Sequence, residues 1–299
     1  MAAKAQELRE SDHSVCDQNF PIEIIHLKPP EPTLTPLLLV GGMGPLAGLH
    51  GLENACLQFQ DSREILLFQI CHAPCRTKAV EESIASHKSL SFHKNILIHA
   101  IVEAITRGKH FFSEDTILIE TIILCNTAHF FLDEIHSHLR WSPSLLSSIR
   151  LHCLVESAHA SQKIPSKGVL VLSTRGARKS KIYENMLHKN QVDFYELSDK
   201  LQDQLVEIIY RGIKGFDPEY VTCQGEKLFL TIKKEYPDLK TIIAGCTEAP
   251  LIIDILKETP GSEVSEFLKT IDVIDPVEHA LKKSHFALKK KYGNYTRLY

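Results

Sequence analysis

Cys125-Asn126-Thr127-Ala128-His129 and Gly245-Cys246-Thr247-Glu248-Ala249-Pro250 are the segments whose residue types can do chemistry. Each sets a thiol between an apolar run, residues 116–124 or 240–245, and the helical pattern that follows. The carboxyl ends of buried parallel strands are where open α/β sheets place their ligands. A thiol that takes a proton from carbon must be partly ionised. A helix N-terminus promotes ionisation through unpaired N–H groups and the helix dipole, so lowered pKa values are expected for both thiols. Asn126, Thr127 and Thr247 are suited to cap the following helices, and Pro250 to a first helical turn. The same N–H groups can bind a carboxylate. Two thiols facing each other across a cleft make a symmetrical acid/base pair, in which one removes a proton from a carbon and the other delivers one to the opposite face. That carbon is inverted.

The elements that must position these thiols follow one grammar. Residues 37–40 read as a strand, 46–60 as a helix and 64–70 as a strand, a βαβ unit that implies parallel sheet. Residues 91–107 carry Ile96, Leu97, Ala100, Ile101, Ala104 and Ile105 on one helical face. The second half repeats the pattern: strand 168–172, the loop Ser173-Thr174-Arg175-Gly176, a helix through Tyr183, a strand near 192–195, and helices over 198–211 and 218–235. The expected fold class is α/β, with two pseudo-symmetric α/β lobes of parallel sheet and the active site in the cleft between them. Residues 34–145 plus about 265–299 make the first lobe, with a strand near 272–274 and a helix over 277–290 returning to it; residues 146–264 make the second. Residues 1–33 are polar, then proline-rich at Pro29-Pro30-Glu31-Pro32, and read as a mobile or loosely docked extension.

Composition excludes several classes of function. The 299 residues are 43% hydrophobic and 24% charged, enough to bury a substantial core. A net charge of -3 calls for neither nucleic acid nor an anionic membrane as partner. The longest nearly apolar stretch, residues 36–49, is glycine-rich and shorter than the roughly 20 residues of a spanning helix. The first twenty residues lack an apolar signal core, so a cytoplasmic location is expected, and the eight cysteines read as reduced thiols. Cys16, Cys56, Cys153 and Cys223 read as small hydrophobes. Cys71-His72-Ala73-Pro74-Cys75 is a single short cluster without a second ligand pair, and no metal is expected. Gly42-Met43-Gly44-Pro45-Leu46-Ala47 satisfies G-x-G-x-x-A, but the next strand ends Gln69-Ile70-Cys71-His72 with no acid for a ribose, which argues against a dinucleotide. His136 and His138 suit surface and capping roles. Lys282-Lys283 and Lys289-Lys290-Lys291 mark the solvated face of a final helix whose Val277, Ala280, Leu281 and Ala287 turn inward.

Gly41-Gly42-Met43-Gly44-Pro45-Leu46-Ala47, Cys125-Asn126-Thr127-Ala128-His129 and Gly245-Cys246-Thr247-Glu248, in this order and spacing, resemble the three signature segments of the aspartate/glutamate racemase family. The resemblance runs from about residue 35 to residue 280. It implies a cofactor-independent enzyme that needs no pyridoxal phosphate, acts on a small amino acid, assembles as a homodimer and uses Cys125 and Cys246 as its catalytic bases. Ala73-Pro74-Cys75-Arg76-Thr77 is similar to the family's Pro-Asp-Arg-Thr segment, making Arg76 the clamp for a substrate carboxylate through two parallel hydrogen bonds. Met43 and Gly44 fall where the family brings backbone close to substrate. Asn126, Thr127, Thr174 and Thr247 match polar positions lining the site. His129 takes a supporting role, and Glu248 orients or tunes Cys246 or partners the helix dipole. Asp275-Pro276 resembles the family's final strand end.

The chain also departs from that pattern. Gly48 stands where family members often have Thr, Cys75 replaces an acid before Arg76, and the Thr-Thr-Gly-Thr loop is Thr174-Arg175-Gly176-Ala177. The loop over residues 109–115 also looks longer than usual. After Tyr183 come Glu184 and Asn185, where many aspartate-directed members carry Lys; Arg175, Arg178 and Lys181 are the candidates to replace that cation. The implied reaction is inversion of aspartate and/or glutamate by two-base proton transfer. Hydantoin racemases, maleate isomerases and arylmalonate decarboxylases resemble the same architecture, although the decarboxylase pattern needs only one thiol. A non-catalytic metabolite-binding relative is the third reading, motivated by Asn185, Ala177 and the N-terminal extension.

Overall fold

A computed structural model describes residues 22–85, 91–140, 147–159 and 164–291. Its strands β1 (Ile22–Leu27), β2 (Leu37–Gly41), β3 (Ile65–Ile70), β4 (Ile119–Ile123) and β5 (Ile149–His152) form one sheet in the order β1-β3-β2-β4-β5. Only β1 runs antiparallel. Strands β6 (Val169–Val171), β7 (Phe194–Glu196), β8 (Thr241–Ile243) and β9 (Asp272–Ile274) form a second, all-parallel sheet in the order β7-β6-β8-β9.

Strands β2 and β3 are apolar at nearly every position because helices cover both of their faces. Alternation then sorts their side chains between two cores. Leu38, Val40, Leu66 and Phe68 pack with the helix α3 (Phe92–Lys109), through Leu97, Ala100, Ile101, Ala104 and Ile105. Leu37, Leu39, Ile65 and Leu67 pack with α1 (Pro45–Phe59) and with Val277, Ala280 and Leu281 of α12 (Pro276–Lys291). Between α1 and α3 lies α2 (Arg76–Ile84), and α4 (Leu132–Leu139) and α5 (Leu154–His159) precede the second sheet. There α6 (Arg175–Lys179), α7 (Ile182–Lys189), α8 (Asp199–Glu207), α9 (Pro218–Glu235), α10 (Ala249–Lys257) and α11 (Glu263–Lys269) follow in order. Among the described residues no helix is long and apolar enough to cross a membrane.

Several expected boundaries move. Ile22–Leu27, inside the expected extension, is an edge strand pairing antiparallel with β3, with Ile22 and Ile24 against one core and Ile25 against the other. Strand β5, expected in the second lobe, closes the first sheet beside β4. Strand β9, expected to return to the first lobe, pairs with β8, and only α12 crosses back. These strands are three to six residues long, and a short apolar run does not encode which sheet accepts it. Cys223 is exposed on α9 rather than buried. Residues 1–21 with Cys16, and the side chains of Ala287 and Lys289-Lys290-Lys291, lie outside the described residues.

Asp275, at the end of β9, is buried and accepts a hydrogen bond from the Val277 N–H at 2.8 Å. Burial lifts its carboxyl to about 6. An unfolded Asp titrates near 3.9, so the folded chain holds this proton more tightly, and the associated stability is present in full below about pH 4 and lost as pH rises through 6. Asp275→Asn keeps the acceptor and removes the charge. Urea midpoints should show it more stable than the native chain by up to about 3 kcal/mol near pH 8, with the gain vanishing towards about pH 4.

Candidate active site

Both thiols leave their strands by the same local route. After β4 the Ala128 N–H donates to the Cys125 carbonyl at 3.2 Å, and after β8 the Ala249 N–H donates to the Cys246 carbonyl at 3.0 Å. Residues Asn126–Phe131 then form 3-10 turns, while α10 follows Cys246 with Pro250 in its first turn. Cys125 and Cys246 are 8% and 4% exposed and line one cleft, of about 390 Å³ and partly open to solvent. Met43, Arg76, Thr77, Asn126, Thr127, Thr174, Tyr210, Lys214, Thr247 and Glu248 complete the lining.

The expected capping role of Asn126, Thr127 and Thr247 is not what these side chains do. Cys125 and Glu248 occupy the N-cap positions, neither with a side-chain cap bond. The polar groups instead reach across the cleft or towards its acid. The Thr127 and Thr174 hydroxyls are 2.9 Å apart, the Tyr183 hydroxyl donates to Asn126 Oδ1 at 2.5 Å, and the Thr247 hydroxyl donates to Glu248 Oε2 at 3.2 Å. Tyr183 on α7, Thr174 after β6 and the adjacent Glu248 supply these groups with side-chain partners inside the cleft. Asn126 Nδ2 is buried with no hydrogen-bond partner, a donor left over at the cleft. Such a group is costly unless something fills it.

Glu248 organises the other side. The Cys246 thiol donates to Glu248 Oε2 at 2.7 Å, and Lys214 Nζ lies 3.1 Å from Glu248 Oε1. Burial alone would raise the Glu248 pKa; the Lys214 charge, hydrogen bonds from the Cys246 thiol and Lys214, and the Arg76 charge outweigh it and hold the carboxyl below its usual range. Burial, then the Glu248 charge and hydrogen bond, push the Cys246 thiol well above its ordinary value. This reverses the expectation of a lowered pKa at Cys246, because the thiol's own burial, and after it the adjacent carboxylate, outweigh partial charges at a helix end. Gly44 is not a lining residue. A Cβ there would overlap Glu248 Oε1, so its bare backbone is what lets the carboxylate lie flush against the first lobe. Gly42, at φ +88°, makes the turn that delivers Met43 to the cleft.

Arg76 donates to the carbonyls of Met43 and, at 3.3 Å, Pro74. Burial pulls its pKa down, but Cys125, Tyr210, Glu248 and Cys75 outweigh that and keep the guanidinium charged. His129 lies behind the cleft, with Nδ1 2.8 Å from the Cys125 carbonyl and Nε2 3.4 Å from the His152 carbonyl. Burial lowers its pKa against those backbone contacts, so it braces the Cys125 turn as a neutral ring. The three expected replacement cations are spent elsewhere: Arg175 on Asp203, Arg178 on Glu196 and Asp199, and Lys181 on Glu184. Thr77, Tyr210 and Lys214 are the lining residues that sequence reasoning misses. Thr77 adjoins Arg76 in a quoted segment, whereas the α8 helix passes into π-helical turns over Ile208–Ile213. A π segment shifts the facing of every residue after it, and a regular 3.6-residue period cannot anticipate that. Among the described residues no group of three or more His, Cys, Asp or Glu side chains is arranged to hold a metal ion.

A family model described as Asp/Glu/hydantoin racemase matches residues 40–283, and the chain belongs to that family, whose reaction class is isomerisation. Among solved structures it is similar to Picrophilus torridus aspartate racemase, at 20% identity and a TM-score of 0.61 over 85% of this chain and 94% of that one. A glutamate racemase isoform from Bacillus anthracis gives 20% identity and a TM-score of 0.56 over 87% and 84% of the two chains. An aspartate racemase homologue from Pyrococcus horikoshii OT3 gives 16% and 0.55 over 86% and 100%. At such identities the likeness is one of fold.

Glu248→Gln removes the negative charge that holds the Cys246 proton while Lys214 stays beside the thiol. Near neutral pH, iodoacetamide should then alkylate Cys246 faster than in the native chain, read by mass spectrometry of the Cys246 peptide. An unchanged rate would show that burial alone sets this thiol.

Proposed function

We propose that the protein is a cofactor-independent racemase of aspartate and/or glutamate, inverting Cα by proton transfer between Cys125 and Cys246. The observation that carries this reading is the pair of thiols, each at the end of a strand in a different sheet, lining one cleft. The unfilled Asn126 Nδ2 donor, the hydroxyls of Thr127, Thr174 and Thr247 in the same lining, and the fixed charge of Arg76 support this reading, since a substrate carboxylate needs donors and a countercharge. Orienting the substrate with its Cα between two acid/base groups is the larger part of what such a site must do.

The two halves of the site are not equivalent. Cys246 carries its proton at rest, directed at Glu248. When it serves as donor, the thiol gives that proton to a Cα carbanion that Cys125 has generated on the opposite face. In the reverse direction the proton first passes from Cys246 Sγ to Glu248 Oε2, and the resulting thiolate takes the Cα proton while the Cys125 thiol supplies the other face. The second direction starts with one proton more than the first, taken up from solvent by Cys125, and ends with that proton on Glu248, which returns it to solvent and restores the starting form; no external oxidant or reductant is involved.

Incubation of each enantiomer of aspartate and glutamate in heavy water is the direct test. Inversion with deuterium uptake at Cα is expected, and the absence of both with all four substrates rejects the assignment. Cys125→Ser and Cys246→Ser should each lose at least about 100-fold in turnover, the scale of a positioned acid or base. Full activity in either variant would remove that cysteine from the mechanism.

A further inference from the structure

We propose that Gln69 and Glu23 are positioning residues of the reaction, a buried amide and its anchor that together set the turn carrying Met43 and Gly44; the proposal rests on the racemase reading above. Three strands place one row of residues behind that turn. Glu23 of β1 and Gly41 of β2 are both register partners of Gln69 on β3, and residues directly opposite one another in a sheet share a face. Gly41 offers no side chain on that face, so the Gln69 amide lies across it and against the start of α1. A Cβ at Gly41 would come within 3.0 Å of Gln69 Oε1, and one at Gly48 within 2.0 Å. Gln69 Nε2 donates to Glu23 Oε2, while Oε1 is buried without a hydrogen-bond partner. An unpaired buried acceptor is costly, so what keeps the amide there is the gap left by two glycines and the charge-assisted bond to Glu23.

The turn rests on this amide. After Gly41 comes Gly42 at φ +88°, where a Cβ would lie 2.4 Å from the Ile70 nitrogen, so the chain presses directly on the end of β3. The Met43 carbonyl follows, accepting from Arg76 and, at 3.3 Å, from Lys214. Gly44 then lies flush against the carboxylate that receives the Cys246 thiol. One turn thus locates both cations of the cleft and backs its acid, and a small displacement of it moves all three relative to the thiols. Strand β1 lies outside the family-matched residues 40–283, so the anchor comes from an element that the family match does not include. Because β1 runs antiparallel, Glu23 sits at the cleft end of β3. His26 sits towards the far end, with Nε2 2.8 Å from Glu64 Oε1.

The test compares Gln69→Ala, Glu23→Gln, Gly48→Ala and the double variant Gln69→Ala/Gly48→Ala, with His26→Ala as a control that cuts a tie of β1 away from the cleft. Turnover is measured well below each melting temperature, where lost stability alone leaves kcat unchanged. Gln69→Ala should lose roughly 10- to 100-fold in kcat, the scale of a misplacement of up to about 1 Å. Glu23→Gln should lose less in the same direction, and His26→Ala should keep the native kcat. Gly48→Ala drives its methyl into the amide and should lose activity in the native background, but cost nothing further once Gln69 is Ala. Losses at Gly48 and Gln69 that simply multiply would overturn the proposal, as would native kcat in both Gln69→Ala and Glu23→Gln. If Gln69→Ala does not fold, Glu23→Gln, a change at an exposed residue, decides alone. Alkylation of Cys246 by iodoacetamide separates these outcomes from failure of the racemase reading. If the native chain turns over no amino acid, that reading falls, and the positioning role is judged by whether Cys246 reacts faster in Gln69→Ala and Glu23→Gln than in the native chain and His26→Ala, because a receding turn leaves Glu248 unbacked. Equal rates in all four chains would overturn the proposal.

Discussion

A buried carboxylate must have its charge answered, and the site is built around that requirement at Glu248. Its oxygens receive the Cys246 thiol, the Thr247 hydroxyl and the Lys214 ammonium, while Gly44 of the other lobe supplies the bare backbone against which it lies. Loss of any one of these partners would leave charge or a donor uncompensated in a region of low dielectric. Glu248 therefore reinforces the hold that burial gives Cys246 on its proton, and sets the resting place of one cation and the closeness with which the lobes approach. Lys214 also donates to the Met43 carbonyl, as Arg76 does, so a single backbone carbonyl of the first lobe gathers both cations of the cleft.

The opposite wall is held by neutral groups. Thr127 meets Thr174, Asn126 meets Tyr183, and Gly176 fits where a Cβ would press within 2.9 Å of both Thr77 and Thr127. These contacts join the end of β4 to the α6–α7 region of the second lobe, directly beside Cys125. One thiol thus sits among hydroxyls and amides near a fixed guanidinium, and the other against a carboxylate. The local backbone route into each site is repeated, but the electrostatic surroundings are not.

Legibility in the sequence follows the range of the interaction involved. The strands around β2, β3, β4 and β8 and the helices α1, α3 and α9 were readable because burial on one or both faces imposes periodicity on nearby residues. The candidate site residues Cys125, Cys246, Met43, Arg76, Asn126, Thr127, Thr174, Thr247 and Glu248 come together in the cleft. Gly44 and His129 sit one layer behind, the first against the Glu248 carboxylate and the second on the Cys125 carbonyl. Strand β1 escaped notice because its surroundings are polar and its pairing partner lies some forty residues away, a separation on which no local pattern bears.

The amino-acid sequence by itself determined the family, the α/β class and the two segments that carry the thiols, since residue type and short-range periodicity are properties of neighbours along the chain. Tertiary structure decided which sheet receives β5 and β9, that Lys214 rather than Arg175, Arg178 or Lys181 faces the cleft, and that Cys246 rests protonated. Each of these depends on burial and on charges that meet only after the lobes close. Burial of the thiol, reinforced by a carboxylate at hydrogen-bond distance, outweighs a helix end, and no spacing of residues along the chain reveals either.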